Sequence, residues 1–159
     1  MNNVIFNFLT LMVILIFLST IVLIMIFIIK LITHSLHKNK DLSFKILVVI
    51  IIGIIIISIY YYNYNHNLEF LPKGYLNEIV ISPNGQREIR TYNFSGFIYY
   101  KNLRAEVIDI KTNKSKTIYY NTEKGKINVK WINNNIIAIG DIILNVDEDI
   151  YDYRNNKNP

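Results

Sequence analysis

The chain of 159 residues contains no cysteine, one tryptophan, three prolines and six glycines. The missing cysteine excludes disulfides, thiolate metal sites, a cysteine nucleophile and lipid attachment through cysteine. Any part of the chain outside the cytoplasm must therefore fold on packing alone. Charge is scarce as well: 18% of residues are charged against 52% apolar, where an average soluble protein carries about 25% charged residues. The shortage is local. Residues 1–62 hold almost all of the apolar excess, and residues 63–159 have an ordinary soluble composition. One globular core spanning the whole chain is excluded, and residues 63–159 suffice for one small water-soluble domain.

Catalytic signatures are also absent. No G-x-S-x-G, S-x-x-K, H-E-x-x-H or phosphate-loop pattern occurs. His66 is the only histidine beyond residue 37, and Ser82, Ser95 and Ser115 fall in turn-like stretches where serine is expected anyway. Nothing pairs a nucleophile with a base, so the sequence argues against an enzyme and calls for no cofactor. The net charge of +5 is concentrated in residues 30–45, where Lys30, Lys38, Lys40 and Lys45 face only Asp41. Residues 63–159 carry 13 Lys and Arg against 11 Asp and Glu, mixed along the chain. A nucleic-acid binder shows a clustered basic face or a known motif, and neither is visible.

What is present is a pair of long apolar runs. Residues 4–29 contain no charge, and only Asn7, Thr10, Ser19 and Thr20 interrupt the apolar character. A membrane span needs about 20 such residues. A cleaved signal peptide fits poorly, because Met1-Asn2-Asn3 carries no Lys or Arg and no small-x-small site follows. The second run, residues 46–62, is rich in isoleucine around Gly53. In water such a β-branched run reads as a buried strand. In hydrocarbon it must be helical, since a lone strand leaves backbone groups unpaired. Tyr60, Tyr61, Tyr62 and Tyr64 close the run and read as an interfacial aromatic belt; the competing reading makes them the opening of the soluble domain.

The positive-inside rule places the basic loop 30–45 in the cytoplasm. Both termini and the C-terminal domain are then expected outside, on a multi-pass protein of the cell membrane. Two helices joined by a short loop form an antiparallel hairpin, and the spacing from the loop brings Ser19 and Thr20 level with Gly53.

Residues 63–74 read as a connector. Beyond it, strand-like runs at 77–82, 86–92, 104–111, 116–121, 126–132, 136–139 and 142–146 are separated by turn signals such as Ser82-Pro83-Asn84-Gly85 and Asn133-Asn134-Asn135. Asn93 to Gly96 interrupts the pattern. Ile127, Val129 and Trp131 alternate with Asn128 and Lys130. The expected fold is a two-helix transmembrane hairpin followed by an all-β domain over 75–154, an antiparallel meander forming a small sandwich or an open curled sheet. Trp131 and several tyrosines are expected in its core, and residues 155–159 form a loose tail.

Few constellations invite chemistry. His34 and His37 share one face of a helix at i, i+3 but lack a third ligand. Asp147, Asp149 and Asp152, with Glu148 and Asp141 nearby, are candidate Ca²⁺ ligands. Without EF-hand spacing or an internal glycine they read better as a solvated acidic turn. Tyr99 and Tyr100 beside Lys101 and Arg104 form the candidate contact surface, with ordinary strand packing as the competing reading.

Several motifs are shared with a known family. These are Ile81-Ser82-Pro83-Asn84-Gly85, Thr91-Tyr92-Asn93, Ile110-Lys111-Thr112-Asn113-Lys114, Ile118-Tyr119-Tyr120, Val129-Lys130-Trp131-Ile132-Asn133 and Asp149-Ile150-Tyr151-Asp152-Tyr153-Arg154. With them the chain resembles a family of small membrane proteins of Gram-positive bacteria, known only as a domain of unknown function. The resemblance spans about residues 70–154. Tyr120 and Tyr153 stand where the family is expected to carry Trp, and Asn93-Phe94-Ser95-Gly96 stands where a Gly-Gly pair is more usual. The resemblance implies a bacterial, membrane-tethered domain and no activity, so no catalytic residue is carried across.

Three functional expectations follow. The first is a tethered, non-enzymatic module that binds another membrane or envelope protein or an envelope component. The second is an accessory or immunity-type subunit that acts through its transmembrane helices. The third is an envelope hydrolase using paired carboxylates. The lipid bilayer is a partner in each, and the oligomeric state is left open.

Overall fold

The computed structural model describes residues 1–37, 44–95, 101–122 and 127–155. It divides into two units, Val4–Asn67 on one hand and Met1–Asn3 with Leu68–Pro159 on the other.

The first unit is a helix pair, α1 (Asn3–His37) and α2 (Phe44–His66). Both are long and apolar enough to cross a membrane. The isoleucine run of α2 is helical despite its β-branched side chains, because a helix satisfies its backbone hydrogen bonds within the segment. Each helix outruns its apolar stretch. α1 continues from residue 29 to His37, and α2 carries the tyrosines on its final turns to His66. The four tyrosines are thus part of the helix and do not open the β domain.

Small and hydroxylated residues line the helix contact. Gly53 is buried, and a Cβ there would collide with Thr20 Oγ1. Thr20 is 5% exposed and returns its hydroxyl hydrogen to the Ile16 carbonyl at 2.7 Å. Ser19 turns outward and bonds its own helix. Near the other end, Thr10 and Tyr60 share a hydroxyl–hydroxyl hydrogen bond of 2.8 Å. The Phe6 ring stacks on Tyr64 with centroids 6.4 Å apart. Val13 and Ile50 are buried as well, while many large apolar side chains point outward, among them Phe8, Phe17, Met25, Ile51 and Ile55.

The second unit holds eight strands: β1 (Tyr75–Ile81), β2 (Arg87–Ser95), β3 (Lys101–Asp109), β4 (Ser115–Thr122), β5 (Val129–Trp131), β6 (Ile136–Ile139), β7 (Ile142–Asn145) and β8 (Tyr151–Asp152). They form an open sheet in the order β1-β2-β3-β4-β8 and a smaller one in the order β5-β6-β7. Every pairing is antiparallel except β4 with β8, which is parallel. The expected antiparallel meander is observed, and the short strand β8 adds to its edge in parallel. β8 is two residues long in an acidic stretch, too short to show a period of two.

The β1–β2 link closes as anticipated. Gly85 N–H donates to the Ser82 carbonyl at 2.9 Å with Gly85 at φ +68°, and Ser82 N–H donates to the Arg87 carbonyl at 2.8 Å. The expected break at Asn93 does not occur. β2 continues to Ser95, with Asn93 opposite Leu103 and Phe94 opposite Asn102. Phe94 is 4% exposed, so its burial carries the strand through a sequence that reads as polar.

The core lies between the two sheets. Ile89, Leu103, Ala105, Val107, Ile118 and Tyr119 of the larger sheet meet Val129, Trp131, Ile137, Ile139 and Leu144 of the smaller. Trp131 donates its indole N–H to the Val80 carbonyl at 3.0 Å and so joins the two sheets. This is one of the two anticipated architectures, a small sandwich of five strands on three.

Candidate functional site

β3 is the middle strand of the larger sheet, and every residue from Asn102 to Ile108 is buried. Its side chains alternate across the pleat. Leu103, Ala105 and Val107 enter the sandwich core. Asn102, Arg104 and Glu106 take the opposite face, where exposure to water would be the ordinary fate of such residues. There Arg104 and Glu106 meet a short segment of the chain itself, a 3₁₀ turn at Leu68–Phe70 followed by residues 71–74.

The contact is built around Arg104, only 3% exposed. Its Nη1 donates to the Leu68 carbonyl at 3.1 Å. Its Nη2 lies 2.8 Å from Glu69 Oε2, 3.0 Å from Glu106 Oε1 and 2.5 Å from Thr117 Oγ1. Thr117 stands opposite Glu106 on β4 and donates its hydroxyl hydrogen to Glu69 Oε1 at 2.5 Å. Lys73 pairs with Glu106 Oε2 at 2.7 Å and sits 4.7 Å from the centre of the Tyr92 ring. Leu71, 1% exposed, is the apolar plug of the segment, with buried Pro72 beside it. The first three residues are tied to the same segment. The Met1 amino group donates to the carbonyls of Glu69 and Leu71, Lys73 N–H donates to the Met1 carbonyl, and Gly74 N–H donates to Asn3 Oδ1 at 2.8 Å.

The electrostatics follow from this geometry. Partial burial opposes the charge on Glu69, but the Thr117 hydroxyl and the Arg104 guanidinium outweigh it and hold the carboxyl below its ordinary value. Lys73 is the mirror case. Burial opposes its charge, and the Glu106 carboxylate outweighs that and raises its pKa. Both groups are therefore held charged. A general acid requires the opposite, a carboxyl whose pKa is raised toward neutrality. Charged side chains paired in this way can fasten a segment to the sheet.

The residues singled out in the sequence fare differently. Tyr99 and Tyr100 lie outside the described residues. Lys101 opens β3, its backbone opposite Ser95. Arg104 is corrected from a surface contact to the buried centre of the cluster, because β3 is covered on both faces. The acidic residues point to separate partners. Asp147 pairs with Arg87 at 3.0 Å, Asp149 accepts from Asn145 N–H at 2.8 Å, and Asp152 is held by the Arg154 guanidinium. Among the described residues no three His, Cys, Asp or Glu side chains gather as a metal would require. The side chains of His34 and His37 lie outside the described residues.

Sequence reasoning missed Glu69, Lys73, Glu106 and Thr117. The available signal was Arg104 and Glu106 alternating with the apolar Leu103, Ala105 and Val107. Two further residues gain a place together: Tyr120 and Tyr153, the expected tryptophan positions, stack with centroids 5.8 Å apart, and Arg154 lies 5.1 Å from the Tyr120 ring.

Two apolar helices of spanning length followed by a small open β sandwich define the class. Within it, residues 38–156 match the model of a family of unknown function, DUF5412, and the chain belongs to that family. The match takes in α2 and the whole sandwich and leaves out α1. No curated protein and no solved structure matches the chain.

Proposed function

We propose that the chain is a membrane-tethered, non-catalytic interaction module of a Gram-positive bacterium, with α1 and α2 crossing the cytoplasmic membrane and the β sandwich held outside. The observation that carries this reading is the outward surface of the helix pair. Large apolar side chains cover both helices along their length, a surface far beyond the few hundred Å² that soluble proteins tolerate. The tyrosines on the last turns of α2 suit a headgroup belt, with Tyr61 and Tyr62 turned outward. The four lysines of residues 30–45 favour a cytoplasmic loop. A non-catalytic role is supported by the charged cluster, whose groups are engaged with the chain's own connecting segment. The partner class is another membrane or envelope protein.

The absence of native cysteine makes the test direct. Lys40→Cys and Asn155→Cys are introduced singly, and intact cells are treated with a membrane-impermeant maleimide. Asn155→Cys is expected to label, and Lys40→Cys is expected to label only after the membrane is opened. Labelling of Lys40→Cys alone on intact cells reverses the orientation and overturns the extracytoplasmic module. Recovery of the protein in the soluble fraction overturns the tether.

A further inference from the structure

We propose that residues 68–74, together with residues 1–3, form a releasable strap, a segment that opens as a unit from the charged face of the larger sheet while the sandwich stays folded. Its contact with the sheet differs in kind from the sandwich core. The core is a continuous apolar cluster of both sheets. The strap meets the sheet through two ion pairs, Glu69 with Arg104 and Lys73 with Glu106, through Thr117 on Glu69 and the Leu68 carbonyl on Arg104, with Leu71 and Pro72 buried and Leu68 and Phe70 half-buried along it. Polar contacts exchange readily with water, whereas apolar burial resists opening.

The sheet is furnished to survive the strap's departure. Breaking a buried ion pair is severe when it strands one charge without a partner. Here Arg104 Nη2 and Glu106 Oε1 remain 3.0 Å apart on the same strand, so each keeps the other when Glu69 and Lys73 leave. The charges that leave are also the wet ones: the side chains of Glu69 and Lys73 are 68% and 44% exposed, and those of Arg104 and Glu106 are each 4% exposed. A boundary residue is in place as well. Gly74 adopts φ +86°, a conformation L side chains rarely take, directly where the strap ends and β1 begins. Release would let residues 68–74 extend ahead of β1, and at about 3.3–3.6 Å per extended residue this segment spans roughly 25 Å. The opening itself does not depend on the module's orientation or partner.

Hydrogen exchange read by mass spectrometry on the full chain in detergent micelles tests this. The Leu71, Lys73 and Gly74 amides are hydrogen-bonded within the strap and to residues 1–3; once the strap leaves the sheet these isolated bonds stand in water and give way, so their exchange reports the release. In the unmodified chain they are expected to exchange faster than the β2, β3 and β4 amides. Glu69→Gln and Lys73→Gln are each expected to speed the strap amides by up to about tenfold and to leave the three strands unchanged. Raising the salt concentration is expected to act in the same direction. If strap and strand amides exchange at one common rate, the strap is inseparable from the fold and the proposal fails. If neither variant moves the strap amides, the ion pairs do not hold it and the proposal fails equally. Glu69→Gln and Lys73→Gln alter partly exposed side chains, so loss of folding does not obscure the outcome.

Discussion

The two faces of β3 are equally dry and are stabilised in opposite ways. On one, Leu103, Ala105 and Val107 join an apolar cluster that runs through both sheets. On the other, Arg104 and Glu106 are just as buried but meet Glu69, Thr117 and Lys73. The apolar face gains from every area of surface removed from water. The charged face must first offset the desolvation of its ions, so its net contribution is small even though its bonds are short. Burial alone therefore does not reveal how strongly a contact holds. The helix pair adds a third situation, in which the close approach of Gly53 to Thr20 depends on the lack of a side chain.

Substitutions across these regions should separate them by magnitude. Trp131→Ala removes the largest core side chain along with its bond to the Val80 carbonyl. A loss of about 3–5 kcal/mol of unfolding free energy is expected, measured by chemical denaturation of the full chain in detergent. A loss below about 1 kcal/mol would show that the two sheets are not held together by this core.

Arg104→Ala comes next. It leaves the Leu68 carbonyl and Thr117 without their donor, but Glu106 keeps Lys73, and about 2–3 kcal/mol is expected in the same measurement. An effect as large as that of Trp131→Ala would erase the distinction between the faces. Gly53→Leu forces a side chain into Thr20 and is expected to weaken the helix contact by about 1–3 kcal/mol. Chemical denaturation of the full chain in detergent reports it, and an unchanged unfolding free energy would mean that the contact at Gly53 is loose.

The smallest effect sharpens the comparison by pH. Glu69 titrates below its ordinary value of 4.5 in the folded chain, so its contribution is present above that value and is lost as pH falls through the lowered pKa. Lys73 titrates above its ordinary 10.5, so its contribution is present below that value and is lost as pH rises through the raised pKa. The amino group of Met1, Arg104 and Glu106 are the other charged groups acting on Glu69 and Lys73, and Tyr92 acts on Lys73 as well. The melting temperatures of the unmodified chain and of Glu69→Gln should therefore differ slightly and constantly near neutral pH. They should converge below the ordinary carboxylate range. A gap that widens in acid would contradict the assigned pairing.

Much of this architecture was legible in the sequence, for reasons that differ by region. The helices were readable because a long apolar run can satisfy its backbone only locally. The meeting of Thr20 with Gly53 followed from helical rise counted from the loop. Strand positions followed from turn chemistry, as at Ser82 to Gly85. The extension of β2 through Asn93 was hidden, because the burial of Phe94 depends on neighbours that its own segment does not contain. Tyr99, Tyr100 and the tip of the basic loop were legible only as candidates, and they lie outside the described residues.

By itself the sequence determined the two apolar helices, the tyrosine-rich end of α2 and the number of short strands up to β7. Each of these is a local consequence of periodicity, turn residues or hydrocarbon length. The tertiary structure alone decided that Arg104 is buried and that Asp147, Asp149 and Asp152 part company. It also decided that β8 returns parallel to β4. These depend on which distant segments meet: Arg104 and Glu69 are 35 residues apart in the chain. An alternating strand records which side chains share a face, but not what arrives from elsewhere to cover it.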